Sequence, residues 1–232
     1  MLASVHVADV GARGALAFGV KTPKPAEVVG LRHANVAFGA SLTATTLPSR
    51  EVGRVGLVAF WDDDAALDDF LASHPVAEAL AGGWRVRLNP LRAFGSWPGL
   101  PPDVPAARAS QYDGPAVVLT LGRLRMTQLP RFLRTSARAE GRALEAPGMI
   151  WATGLARPPF VATCSLWEST KTLSTYAYGR AEPAHADAIA ENEAKAFHHQ
   201  SAFVRFRPYG SEGSLDGKNP LPADWLPAPT PS

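Results

Sequence analysis

Cysteine is all but missing from this chain. Cys164 stands alone among 232 residues, which excludes an internal disulfide and a cysteine-built zinc site. It lies in a strand-like run with apolar neighbours, so it reads as a small core side chain rather than a nucleophile. An excess of one charge is missing too. A formal net charge of +2 creates no large field, and nucleic acid is a poor partner for such a chain. No apolar run approaches the roughly 20 residues of a membrane-crossing helix, so stable membrane insertion is not expected. Met1–Asp9 has neither the basic start nor the cleavage pattern of a secretory signal, and a cytoplasmic location is the expectation. There is no GxGxxG fingerprint, P-loop, HExxH or GxSxG elbow, which removes the chemistries those motifs carry.

What is present is a motif carried twice. Leu57-Val58-Ala59-Phe60-Trp61-Asp62 recurs as Ala162-Thr163-Cys164-Ser165-Leu166-Trp167-Glu168. Six residues beyond each tryptophan stand Leu67 and Leu173, and nine beyond stand Phe70 and Tyr176. Each copy then closes on an alternating strand, Trp84-Arg85-Val86-Arg87-Leu88 or Phe203-Val204-Arg205-Phe206-Arg207. Matched spacing over this length marks a repeated supersecondary unit. With 46% hydrophobic and 19% charged residues, the chain has enough apolar surface for a real core.

The first copy reads as strand Leu2–Ala8, helix Ala12–Lys21, strands Ala34–Ala40 and Arg54–Phe60, helix Asp62–Ala81 and strand Trp84–Leu88. Asp62 suits the N-cap of that last helix, Pro75 interrupts it and Gly82-Gly83 ends it. The second copy reads as strand Ala116–Leu121, a helix over Thr127–Ala143, strands Met149–Thr153 and Phe160–Ser165, helices Ser169–Tyr178 and Pro183–His199, and strand Phe203–Arg207. The order βαββαβ, twice, predicts an α+β fold: tandem ferredoxin-like repeats forming a dimeric-α/β-barrel-type fold within one chain. The expected division is 1–95 for the first repeat, 96–114 for a Pro/Gly-rich linker, 115–210 for the second repeat with the functional site, and 211–232 for a Pro-rich extension. A monomer or a homodimer is compatible with such a barrel.

Several runs carry a further signal by their order and spacing: Leu129-Pro130-Arg131-Phe132-Leu133-Arg134, Cys164-Ser165-Leu166-Trp167-Glu168, Pro183 to Ile189, Phe203-Val204-Arg205-Phe206, and Gly213-Ser214-Leu215-Asp216-Gly217-Lys218-Asn219-Pro220-Leu221. Together they resemble the spheroidene monooxygenase family, most strongly over Val117–Leu221. The resemblance implies a monooxygenase carrying haem b (iron) that oxidises an apolar, carotenoid-like polyene substrate. It also implies electrons from a donor protein such as a ferredoxin. Where the family tends to have Gly-Trp-Phe, this chain has Ala196-Phe197-His198, a difference beside the expected pocket.

Six histidines are available: His6, His33, His74, His185, His198 and His199. His185 opens the helix before the last strand, with Ala188, Ile189, Asn192 and Ala196 on its face. Small and apolar neighbours would let a planar macrocycle approach, and Asn192 offers a hydrogen bond there. From the residues alone, His185 is either a local helix-start side chain or an axial ligand; the resemblance implies the ligand. His198-His199 reads as a solvated helix end. Arg131 and Arg134 share a face, as either a surface basic stripe or cations for haem propionates, with Arg131 also the candidate catalytic group beside bound oxygen. Phe132, Trp151 and Trp167 are candidate pocket walls or core. Asp62 and Glu168 read as caps. The largest enclosed pocket is expected in the second half, between its sheet and the helices bearing Arg131 and His185. The alternatives to a haem monooxygenase are a haem enzyme of the same barrel with peroxidase or dehydratase chemistry, or a cofactor-free barrel that binds a small ligand.

Overall fold

The computed structural model describes residues 1–18, 22–40, 42, 50–106, 111–178 and 196–226. The first half comprises β1 (Leu2–Asp9), α1 (Gly11–Phe18), β2 (Leu31–Ala40), β3 (Arg50–Trp61), α2 (Asp64–Ser73), α3 (Pro75–Leu80) and β4 (Trp84–Gly95). The second comprises β5 (Ala116–Leu124), α4 (Leu129–Leu144), β6 (Met149–Arg157), β7 (Phe160–Trp167), α5 (Thr170–Tyr178) and β8 (His198–Gly213). A 3-10 turn at Met126–Gln128 leads into α4.

The strands close into one antiparallel barrel in the order β1-β3-β2-β6-β7-β5-β8-β4. Within it the first half runs β4-β1-β3-β2 and the second runs β8-β5-β7-β6, the same order. Two seams of unequal length join them. Among the described residues β2 meets β6 over Phe38–Ala40, whereas β4 and β8 pair from Trp84–Gly213 to Gly95–Ala202. Closure therefore leans on the β4·β8 seam.

Strand alternation explains how the core divides. Seven of the eight residues of β1 are buried, and successive side chains of a strand point to opposite faces, so both faces must be covered. Ala3, Val5 and Val7 enter the barrel with Trp84, Leu88, Leu119, Leu121 and Phe206. Leu2 and Ala8 point outward to a second layer with Leu57, Trp61, Leu67, Phe70 and Leu80. The interior is packed with side chains, including Trp84 against Trp151 at 5.1 Å between ring centroids. Cys164 is buried among them, and burial pushes its thiol up to about 12, as suits a core side chain.

The two motif copies occupy matching places. Trp61 ends β3 and Trp167 ends β7, and each stacks on its partner nine residues on, Phe70 at 5.0 Å and Tyr176 at 5.1 Å. The Asp62 N–H donates to the Gly30 carbonyl and the Glu168 N–H to the Gly148 carbonyl, both at 2.8 Å. Gly30 and Gly148 have positive φ, and a Cβ on either would collide with Ala66 or Thr172 in the helix above. Only glycine fits such a place.

Three expectations need correction. Asp62 does not cap α2; its N–H is held by Gly30 as a continuation of β3, and Asp63 accepts from the Ala66 N–H at 2.9 Å instead. Glu168 is held in the same way, and Ser169 caps α5 by accepting from the Thr172 N–H. His198 and His199 do not end a helix but begin β8, because β5 extends to Leu124 and its backbone pairs with 198–201; residues 183–195 lie outside the described residues. The segments expected as linker and extension also contribute to the core, through Trp97, Leu215 and Leu221.

Candidate functional site on the outer face of the second half

The outer face of the first half is sealed. His6 lies beneath the helices with Nε2 3.0 Å from Ser4 Oγ, and Trp61 Nε1 donates to the same oxygen at 2.9 Å. Burial, helped by Arg85 and Arg87, pushes the His6 pKa down to about 3, so the ring is neutral. Trp61 can only donate, which leaves the Ser4 hydroxyl proton available to His6.

The second half builds the same face differently. Strand register sets three cross-strand rows there: Val161, Gly122 and Ser201; Thr163, Thr120, Phe203 and Phe94; Ser165, Val118, Arg205 and Arg92. Counting back from the tryptophans, Thr163 and Thr120 stand where Leu57 and His6 stand in the first half. Both threonines are half-buried, and Phe203 is 46% exposed. Beneath α4 and α5 the buried apolar cluster comprises only Ala116, Ala146, Trp167 and Leu173 among the described residues.

Charged and aromatic groups border this face. Arg205 is 7% exposed and donates from Nη2 to Ser174 Oγ on α5 at 3.2 Å. The His198 ring lies over Gly122, where an added Cβ would stand 2.5 Å from its Cδ2. Phe132 meets His198 edge-on at 5.4 Å and Phe197 at 6.0 Å, and the Arg131 guanidinium sits 4.5 Å from the Phe197 ring centre. Burial lowers the His198 pKa, so its imidazole is neutral near pH 7.

Arg131 and Phe132 are thus brought together with Phe197 and His198. Arg134 is exposed, one turn further along α4. His185, Ile189 and Asn192 lie outside the described residues. Trp151 turns into the barrel and Trp167 packs under α5, so neither lines a pocket. Among the described residues, open clefts occur at the rim of the second half. One, of about 440 Å³, is lined by Arg123, Leu124, Arg125, Met126, Thr127, Pro159 and His199; the other, of about 520 Å³, by Arg125, Thr127, Gln128 and Ala196. Among the described residues no group of three or more His, Cys, Asp or Glu could hold a metal, and no helix is long and apolar enough to cross a membrane. The sequence reading missed Gly122, Thr120, Arg205 and Phe203 as neighbours. Its available signal was the alternation Val118, Thr120, Gly122 against Val117, Leu119, Leu121 in β5.

Two curated relatives match this chain. The spheroidene monooxygenase of Rhodobacter capsulatus is 28% identical over 176 residues, covering 71% of this chain and 70% of its own length. That of Cereibacter sphaeroides is 25% identical over 171 residues, covering 71% of this chain and 52% of its own. The chain resembles the spheroidene monooxygenases. That resemblance supports an oxidoreductase. The chain spans about half the length of the second relative, and no family model matches it. Among solved structures, an aldoxime dehydratase aligns over 92% of this chain and 81% of its own at 10% identity and a TM-score of 0.48, too slight a likeness to bear on function.

Proposed function

We propose that this chain is a haem-dependent monooxygenase acting on an apolar, carotenoid-like polyene, with its site on the outer face of the second half. The carrying observation is the contrast between the two outer faces: the first filled by Leu57 and His6, the second holding the half-buried Thr163 and Thr120 under an apolar cluster that is small among the described residues. The finer architecture belongs to the same proposal: two tandem ferredoxin-like repeats, 1–95 and 115–210, forming a dimeric-α/β-barrel-type fold, with 96–114 between them and 211–232 after.

The residues bordering this face suit haem b. Thr120 and Thr163 keep the sheet surface low, and the His198 ring lies over Gly122 beside them. Phe132, Phe197 and Phe203 supply apolar walls. Arg205 and Arg131 place cations beside the face, and Arg134 stands one turn further along α4. Carboxylates pair well with such guanidinium groups. In this reading His185, Ile189 and Asn192 would hold the haem, His185 through its iron, and Arg131 and Arg134 would pair with its propionates. Haem supplies the activation of dioxygen when bound. The chain's own part is to bind and orient: the aromatic walls exclude water and hold an apolar substrate, and Arg131 offers N–H donors beside it. Two electrons come from a donor protein such as a ferredoxin.

The test is spectroscopic. Protein produced with haem supply is expected to show a Soret band that His185→Ala abolishes or weakens, while His198→Ala and His199→Ala keep it. The fold should tolerate His185→Ala within about 1 kcal/mol. A wild-type protein without a Soret band, or a His185→Ala spectrum identical to wild type, defeats the reading.

A further inference from the structure

Between Val117 and Leu144 the chain carries six arginines, at 123, 125, 131, 134, 138 and 142, against one acid, Glu140. In the first half, four arginines are matched by acids. Arg54 pairs with Asp9 and Asp216, Arg85 with Glu212, Arg87 with Asp64 and Asp68, and Arg32 with Asp62. Among the described residues no carboxylate lies within ion-pair distance of Arg123, Arg125 or Arg134, and all three are exposed.

Two of these cations border an apolar point. Arg123 and Arg125 line the 440 Å³ cleft with His199, and Met126, 52% exposed, lines it too with Leu124 and Pro159. Arg125 donates from Nε to the His198 carbonyl at 3.2 Å, which orients its guanidinium. An apolar centre within a polar rim, rich in Met and Arg, is the make-up of a protein–protein contact. Duplex nucleic acid is met by a charged track along its phosphates, without an apolar centre. An anionic membrane is met by a continuous apolar face under the charge. Neither describes a single methionine among arginines.

We propose that Arg123, Arg125, Met126 and His199 form a docking surface for an acidic protein. The partner's acidity follows from the charge on this surface; its role as electron donor rests on the oxidoreductase reading above. A monooxygenase inserts one atom of dioxygen into its substrate and reduces the other to water, consuming two electrons and two protons. Those electrons come from the partner, which is oxidised as it delivers them one at a time. The surface adjoins the Arg131–Phe197 contact, because the Arg125 N–H donates to the Phe197 carbonyl at 2.8 Å. A docked donor would therefore stand beside the proposed cofactor face.

The test is calorimetric titration of an acidic [2Fe–2S] ferredoxin into the full chain. Binding at about 50 mM salt should weaken roughly tenfold or more by about 200 mM. The double variant Arg123→Glu/Arg125→Glu should weaken it roughly tenfold at the lower salt. Arg134→Glu should do less, and Lys24→Glu, an exposed cation of the first half, should do nothing. Circular dichroism should confirm that these surface variants remain folded. Absence of ferredoxin binding by the wild type, or binding indifferent to the double reversal, overturns the proposal. So does tighter association with phosphatidylcholine–phosphatidylserine vesicles (about four to one) or with duplex DNA that the double variant loses. Ferredoxin binding without a Soret band keeps the docking surface and removes the haem reading; a Soret band without ferredoxin binding does the reverse.

Discussion

Leu57 and His6 in the first half, and Thr163 and Thr120 in the second, hold matching places on the outer face of the barrel, yet the first pair is sealed and the second half-buried. The first half spends its helices on cover. Leu67, Phe70, Val76 and Leu80 press α2 and α3 onto the sheet, and Arg54, Arg85 and Arg87 are tied to acids. Among the described residues the second half has the smaller buried apolar layer, a buried Arg205, a neutral His198, and exposed Arg123, Arg125 and Arg134 with no carboxylate in ion-pair distance. Burying apolar area is the main source of stability, so among the described residues the helices of the first half add more of it to their side of the sheet. A face already filled by its own side chains has no room for a ligand. Similar strand order thus serves two ends, and the difference lies in the side chains set on the outer face.

The comparison can be broken most sharply at the tryptophans. Trp61→Ala removes a fully buried ring from the larger cluster and should cost about 3–5 kcal/mol by urea unfolding. Trp167→Ala should cost less, because fewer buried apolar neighbours surround it. Equal losses would mean that the halves contribute alike. Exchange of the facing residues comes next. Leu57→Thr puts a hydroxyl into a dry layer and should cost about 2–3 kcal/mol, whereas Thr163→Val should stay within about 1 kcal/mol. If the two substitutions prove equally harmful, the second face is as closed as the first.

Acid should find the first half through His6. Its folded pKa is about 3 against 6.5 unfolded, so between those values the unfolded chain takes up a proton that the folded chain refuses. The neutral ring's contribution is fully present above pH 6.5. It falls as pH drops, by about 1.4 kcal/mol per pH unit, until the folded pKa is reached. His33, His74 and His198 are lowered too and act in the same direction. Urea unfolding at successive pH values should therefore show a shallower loss in His6→Gln than in wild type; an identical slope would rule His6 out. The smallest effect is expected at Gly122→Ala. The atoms it meets are the far end of the His198 side chain, so the ring swings aside for about 1 kcal/mol or less. Its titration by NMR should then move up toward the ordinary histidine value, and an unmoved His198 would show that Gly122 is no notch for it.

Much of the fold was legible in the residues, and less of the site. Strands showed wherever apolar and polar residues alternate, as in Trp84–Leu88 and Phe203–Arg207, and helix α2 showed through its acids and Pro75. The cap of α2 was misplaced by one residue because Asp62, Asp63 and Asp64 are equally able caps; the Gly30 carbonyl, distant in sequence, decides among them. The His198-His199 pair was read as helical because local sequence carries no record of β5, which supplies the ladder that makes it a strand. Arg131, Phe132 and the Ala196-Phe197-His198 run beside the expected pocket stood out separately in the residues; their contacts with one another came only with the fold.

By itself the sequence determined the period-two strands, the doubled Trp-acid motif with its Leu and aromatic spacing, and the basic stretch after β5. Each is a matter of near neighbours, and backbone sterics and side-chain alternation act over that range. Which face of each strand would be covered, and by what, was decided only by the closed barrel. Alternation states that two side chains point opposite ways; it does not state what lies opposite either one. That depends on register between strands far apart in the chain, such as Thr120 beside both Thr163 and Phe203, and on which helices bring enough apolar surface to seal the layer above them.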